Sequence, residues 1–439
     1  MYPLAALMAK RGYNVTGTDR SADPRASLTK YLELKRSAGR DRIDLIAPGS
    51  ADWQSVRLLV YSLAVDEGDP DILAAKQMAV PMISRAQLLG YLMSLYPIRI
   101  SVSGSHGKST TTSLIEHLLR TAGIDPTAVS GAELTGGASY REGRGDVFVA
   151  EACEYKDSFL SLCPTHQLIT SVELDHTDYF PTLEALKASF LTAAKRAQTL
   201  VIGGDDPVCR EIVGELSEHR GTVLTYGRST DLDYRLCDIE RLGDRTRFCI
   251  RCGEWRIGLE TSLIGEYNLY NVTAAVAVAH TLGLSDDAIA GALVCFTPPG
   301  RRMTRIGTYG TVPVFYDYAH HPTELGAVIG ALKERYGSVC VIFRPHTYTR
   351  TKSLWNEFIV ELCKADLSII LDIYPAREKA IEGVTSENLA KCIPGAIYAS
   401  PSDSARIALC SACGAVALLG AGEVEGVRED LIKLSKTGV

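Results

Sequence analysis

Ile98-Arg99-Ile100-Ser101-Val102-Ser103-Gly104-Ser105-His106-Gly107-Lys108-Ser109-Thr110 runs from an apolar strand pattern through two glycines into Lys-Ser-Thr. The residues that follow, Ser109 to Thr121, have helical character. A strand, a Gly-rich turn and a helix in that order make a phosphate cradle. Glycines let backbone N–H groups wrap an anion without Cβ clashes. The helix N-terminus adds partial positive charge. Lys108 can reach β- and γ-phosphates, and the Ser109 hydroxyl can serve Mg²⁺.

Downstream, Asp146 to Ala150 is an apolar strand that ends at Glu151, and Leu168 to Val172 reads as a strand ending in Glu173-Leu174-Asp175-His176. Carboxyl ends of parallel strands are where ligands bind. Glu151 therefore suits Mg²⁺, a hard cation that prefers oxygen, and His176 becomes a second candidate ligand beside it. Asp231 to Leu263 alternates like a β-meander with Gly253 at a turn, and Val272 to Leu282 is Ala-rich and helical. Thr297-Pro298-Pro299-Gly300 punctuates the chain. Beyond it the strand–helix rhythm resumes at Ser338–Phe343, Leu367–Asp372 and Val416–Leu419, with a last helix over Val424–Ser435.

Before the phosphate loop, Asn14–Asp19, Arg57–Leu63 and Val80–Ile83 read as strands of a doubly wound, Rossmann-like sheet. The chain starts inside the first helix of that unit, around Leu4, Leu7 and Met8. Such a sheet normally has a strand and Gly-rich loop before that helix, so a further strand is expected upstream.

The 439 residues suggest about three domains. Boundaries are expected at 1–97, 98–298 and 299–439, in an α/β architecture. A net charge of -6 and the lack of a Lys/Arg-rich block give no footing for nucleic acid. No secretory leader is evident, and no apolar run approaches the ~20 residues a bilayer span needs. A cytoplasmic protein without membrane insertion, monomer or homodimer, is expected. Cys249 and Cys252 lie in an apparent strand, where i and i+3 face opposite sides. Neither this pair nor Cys410/Cys413 is expected to hold zinc.

Taken together, GSHGKST from Gly104, VAEACE from Val149 to Glu154 and SVELDH from Ser171 to His176 resemble the ATPase domain of Mur ligases. GEYNLYN from Gly265 to Asn271 resembles that family's adenine-contact segment, with Tyr267 where His is usual. Tyr316 to Glu324, Pro345 to Thr351, Asp372 to Glu378 and Gly420 to Gly422 resemble the alanine-adding branch. The resemblance implies ATP-dependent joining of L-alanine to UDP-N-acetylmuramate, with ATP and Mg²⁺. It implies a UDP-sugar domain, an ATPase domain and a C-terminal amino-acid domain. ATP phosphates would sit on Gly104, Ser105, His106, Gly107, Lys108, Ser109 and Thr110, with Mg²⁺ at Ser109, Glu151 and His176. Asn268 and Asn271 would face adenine. Arg302 and Asp317 would approach the phosphates from the third domain. Tyr318, His320, His346 and Arg350 would surround the amino-acid and acyl groups, with His320 a candidate base. Asp19 and Ser62 would lie near the uridine diphosphate.

Overall fold

The computed structural model describes residues 1–18, 43–135, 137–376, 378–422 and 424–437. Asp19 lies outside them. The opening helix, Tyr2–Lys10, carries Pro3 in its first turn and buries Leu4, Ala6, Leu7 and Ala9. Strands β1 (Val15–Thr18) and β2 (Ile43–Ile46) pair in parallel, as do β3 (Leu59–Tyr61) and β4 (Met82–Ser84). The single sheet expected here is corrected to two separate pairs. In a doubly wound order the first strand lies between strands two and four, and no described strand stands there. β3 is shorter than the Arg57–Leu63 run because the chain turns back after it: Val65 N–H donates to the Ser62 carbonyl at 2.9 Å.

This N-terminal part shares its core with the central domain. Helix Arg85–Ser94 starts at a capping box between Ser84 and Gln87. It packs Leu88, Leu89, Leu92 and Met93 with Leu4, Leu7, Phe148, Phe159 and Phe190. Each such side chain removed from water contributes roughly 1.5–3 kcal/mol. A Cβ on Gly90 would stand 2.1 Å from the Ser161 carbonyl, so only glycine allows the approach.

The central sheet contains β5 (Ile98–Ser103), β6 (Thr127–Val129), β7 (Tyr140–Arg141), β8 (Val147–Glu151), β9 (His166–Ile169), β10 (Thr199–Gly203), β11 (Thr222–Gly227), β12 (Tyr234–Leu242), β13 (Arg245–Cys252) and β14 (Trp255–Thr261). Their order is β14-β13-β12-β11-β10-β9-β5-β8-β6-β7. The parallel middle puts the ends of β5, β8 and β9 side by side. The meander expected at 231–263 is β12–β14, paired antiparallel. Helix Lys108–Thr121 and the buried helix Glu266–Thr281 pack beside each other over the sheet.

Strand β9 ends at Ile169, three residues earlier than expected. Past Ile169 the neighbouring strand β5 turns into the phosphate loop, and Thr170 and Ser171 bond that loop. The Ser171 carbonyl accepts from Ser105 N–H at 2.8 Å, and the Thr170 hydroxyl donates to the His106 carbonyl.

The third domain is a six-stranded sheet. Its strands β15 (Thr304–Tyr309), β16 (Val312–Asp317), β17 (Val339–Phe343), β18 (Leu367–Ile370), β19 (Ile397–Tyr398) and β20 (Ala415–Leu419) run in the order β15-β16-β20-β17-β18-β19. All but the β15–β16 pairing are parallel. β17 and β20 are buried along their whole length, which explains their continuous apolar sequences. Among the described residues no helix is long and apolar enough to cross a membrane.

Candidate active site

The phosphate loop leaves β5 with Gly104 at φ 128° and enters its helix through Gly107 at φ 79°. A Cβ on Gly104 would meet the Thr170 hydroxyl at 2.0 Å, and one on Gly107 the Asn271 amide oxygen at 2.3 Å. Glycine is therefore required twice, by φ and by space. The Ser105 hydroxyl donates to the Glu173 carbonyl at 2.9 Å and accepts from Glu173 N–H at 2.8 Å. Thr110 is buried in the first helical turn.

Lys108 curls back over this loop. Its ammonium donates to the carbonyls of Gly104 and Ser105 and to both carboxylate oxygens of Glu154, each at 3.1 Å. Burial works against its charge, but Glu154 above all holds its pKa above the ordinary lysine value. Glu154 is almost wholly buried and also stands 3.7 Å from His176 Nε2. Glu151 points elsewhere: its Oε2 accepts from the Ser130 hydroxyl at 3.0 Å and from Gly131 N–H at 2.6 Å. The acid between lysine and histidine is thus Glu154, the second glutamate of the VAEACE run. Sequence reasoning chose the first because it ends the strand. His176 has φ 55°, a left-handed backbone held by the Asp175 carboxylate accepting its N–H at 2.7 Å.

Asn268 and Asn271 lie under the loop rather than in an open slot. Both are buried and bond each other at 3.2 Å. Asn271 also accepts from the Thr111 hydroxyl at 3.3 Å, and Asn268 donates to the Ile264 carbonyl at 2.8 Å. Of the two, only Asn271 bonds the loop helix; Asn268 bonds residues of its own helix and the turn before it.

The third domain reaches this loop directly. Arg302 donates to the Ser109 hydroxyl at 3.2 Å. It sits between Arg301 and Met303, at φ 62° and 48°, strain of a kind concentrated at functional sites. Asp317 fixes that turn by accepting from the N–H groups of Met303 and, at 2.7 Å, Ala319. Its burial raises its pKa to about 6 against the opposing pull of Arg302. Tyr318 lies under both arginines, its ring 4.4 Å from the Arg301 guanidinium and 5.1 Å from that of Arg302.

Farther along the same junction, Arg350 donates to the two oxygens of Asp175 at 2.8 and 3.2 Å. Burial pushes the Asp175 pKa up, but Arg350 outweighs it and holds the carboxyl well below the usual range. Arg350 Nε is buried without a hydrogen-bond partner. His346 lies 3.2 Å from Arg350 and stacks on Tyr374, with 5.6 Å between ring centroids. Burial lowers its pKa to about 4, helped by Arg350. His320, 6.0 Å from His346 ring to ring, is also lowered to about 4 by burial. Its Nδ1 faces the Tyr318 carbonyl at 3.0 Å and the Glu324 carboxylate at 3.3 Å. Two acceptors there put the hydrogen on Nδ1 and the lone pair on Nε2.

Glu173 and Glu324 are two acids the sequence did not single out for the site. They flank His106, which is 2.7 Å from Glu173 through Nε2 and 3.0 Å from Glu324 through Nδ1. Burial opposes its charge, yet the two carboxylates lift its pKa to about 9. Ser62 lies in the turn after β3, and the neighbouring Leu63 carbonyl accepts from Lys156 at 3.1 Å. Lys108, Ser109, His176, Arg302, Asp317, Tyr318, His320, His346 and Arg350 therefore come to one inter-domain junction, with Ser62 near its N-terminal side.

Family profiles agree with this layout. The Mur ligase middle domain matches residues 102–279, the Mur ligase glutamate ligase domain 301–422, and the Mur ligase family catalytic domain 1–97. The chain belongs to the Mur ligase family. A UDP-N-acetylmuramate–L-alanine ligase from Methylocella silvestris is 35% identical over 97% of this chain and 92% of its own. One from Salinibacter ruber is 36% identical over 89% and 82%. The UDP-N-acetylmuramate–alanine ligase structure from Thermotoga maritima superposes with a TM-score of 0.81 at 22% identity, covering 100% of this chain and 97% of that one. That likeness carries the three-domain α/β Mur fold.

Proposed function

We infer that this chain is an ATP-dependent ligase that joins L-alanine to the lactyl carboxylate of UDP-N-acetylmuramate, a step of peptidoglycan precursor synthesis. The observation that carries the reading in geometric terms is the Arg302–Ser109 contact at 3.2 Å, which brings a third-domain cation onto the phosphate loop. In this reading residues 1–97 take the UDP-sugar, with Ser62 and Asp19 beside its diphosphate. Residues 98–298 take ATP and 299–439 the amino acid, and the enzyme works in the cytoplasm.

The substrate carboxylate attacks the γ-phosphorus of ATP, giving an acyl phosphate and ADP. The alanine amine then attacks the acyl carbon, and inorganic phosphate leaves. Lys108 and Arg302 offset charge on the transferring phosphoryl group. The Ser109 hydroxyl, the Glu154 carboxylate and His176 would hold Mg²⁺, and Glu151 would join them on turning from Ser130 and Gly131. Mg²⁺ supplies charge neutralisation on the phosphates when bound. Glu154, bonded to Lys108 and near His176, is the better placed of the two acids. Arg350, with its unpaired Nε, suits the planar alanine carboxylate. His320 offers the Nε2 lone pair to the amine proton. A pKa near 4 makes it a group that passes a proton on rather than keeps it. Burial of the junction keeps water from the acyl phosphate.

Product mass after incubation with ATP, Mg²⁺ and UDP-N-acetylmuramate tests the assignment, with L-alanine and an L-alanyl tripeptide in competition. The alanyl product is expected to dominate. A product carrying mainly the tripeptide would make the chain a peptide-recycling ligase instead.

A further inference from the structure

We propose that His106, Glu173 and His321 form a binding site for Zn²⁺, or a metal of similar softness, that bridges the central and third domains. One ligand atom from each lies within 4.8 Å of the others. The His106 and His321 rings are 5.2 Å apart between centroids, and His321 Nδ1 is 3.8 Å from Glu173 Oε2. His321 is only 3% exposed, and neither of its ring nitrogens has a hydrogen-bond partner. A buried imidazole with two idle nitrogens has lost its hydration and gained no bond in return. A metal ion supplies one.

The groups behind these ligands are arranged as a metal site requires. Glu324 Oε1 stands 3.0 Å from His106 Nδ1 and keeps a hydrogen there, while Nε2, 2.7 Å from Glu173 Oε2, coordinates by releasing its proton to solvent, the ion replacing that proton between the two ligands. Metal-binding histidines commonly have such a carboxylate behind them. The Thr323 hydroxyl donates to Glu173 Oε1 at 2.6 Å and leaves Oε2 toward the histidines. Pro322 begins the helix Pro322–Tyr336 and holds His321 at its entry.

Two imidazoles and one carboxylate are a zinc donor set with a fourth position open to water. Nitrogen donors also separate this site from Mg²⁺, which prefers oxygen. No ligand is shared with Ser109, Glu151, Glu154 or His176, although His106 belongs to the phosphate loop, so the site adjoins the nucleotide site. His106 and Glu173 belong to the central domain and His321 to the third. A bound ion therefore ties the two together in the closed arrangement.

Co²⁺ titration of the full chain, followed by absorption, is the test. The expected result is a saturable d–d spectrum at one Co²⁺ per chain, without a thiolate charge-transfer band and abolished by Zn²⁺. His321→Ala should weaken binding at least about tenfold, a loss typical of even supporting groups. His321→Cys should keep binding and add a thiolate band, which shows that the variant is folded and that residue 321 touches the metal. Absence of a saturable spectrum would overturn the proposal. So would a thiolate band in the unaltered chain, which would assign the metal to a cysteine, or a His321→Cys spectrum without the new band.

Discussion

Lys108 and Arg350 are both cations suited to anionic substrate groups, and each is held here by a carboxylate. Their settings differ. Lys108 meets Glu154 within the central domain, over a loop whose glycines, hydroxyls and strand ends are tied to one another. Arg350 comes from the third domain and meets Asp175 across the junction. The first pair lies within one domain and the second spans two, so only the second depends on how the domains meet. In the proposed reading, the Lys108 side of the phosphate site is formed within one domain, while Arg302 and Arg350 reach it only across the domain junction. Arg302 on Ser109 and His106 between Glu173 and Glu324 lie on the same junction.

The largest expected effect is on the Lys108 side. Lys108→Ala should cut ADP formation by about a thousandfold, since one positioned charge is worth roughly 10²–10³ in rate. Near-normal turnover would remove the phosphate assignment. Arg350→Ala should act on the side that spans the junction, lowering kcat/KM for L-alanine by about a hundredfold, the scale of a lost charge-assisted hydrogen-bond pair. ATP affinity in the absence of alanine should be unchanged. An equal loss of ATP binding would erase the distinction between the two sides.

Glu154→Gln tests which acid serves the metal. It should raise the Mg²⁺ concentration for half-maximal activity by about tenfold, as loss of a supporting or ligating group does, and more than Glu151→Gln. The reverse order would return the role to the strand-ending glutamate. A smaller effect concerns pH. His346 has a folded pKa of about 4, against an ordinary value near 6.5. As pH falls between those values, the unfolded chain takes the proton first and stability is lost; above about 6.5 the contribution is fully present. Urea melts of His346→Gln should show a shallower loss of stability over that window, and an unchanged slope would place the acid sensitivity elsewhere.

The phosphate loop, the meander and the buried strands β17 and β20 were legible because local rules determine them. Glycine at positive φ, a helix-starting Lys-Ser and unbroken apolar runs need no tertiary information. Glu154 was less legible, because it lies beyond the end of β8, at the N-cap of the 3-10 helix Tyr155–Ser161, where no strand or helix pattern marks it. The end of β9 was misjudged because β5 ends at Ser103, whose carbonyl takes the Thr170 N–H, and beyond it Ser171 bonds the loop. Asn268 and Asn271 were legible only as a motif; that Asn271 bonds Thr111 of the loop helix needs the tertiary packing. Glu173 and Glu324 meet on either side of His106, residues apart in sequence that no local pattern connects. Of the four N-terminal strands, β1, β3 and β4 were found and the short β2, Ile43–Ile46, was missed.

The most direct test of the whole account is ADP release from the purified chain with ATP and Mg²⁺, adding UDP-N-acetylmuramate and L-alanine separately and together. Sustained release is expected only when both substrates are present, because the alanine amine must attack the acyl carbon before turnover completes. Sustained release that ignores alanine, or that needs no nucleotide sugar, would contradict it.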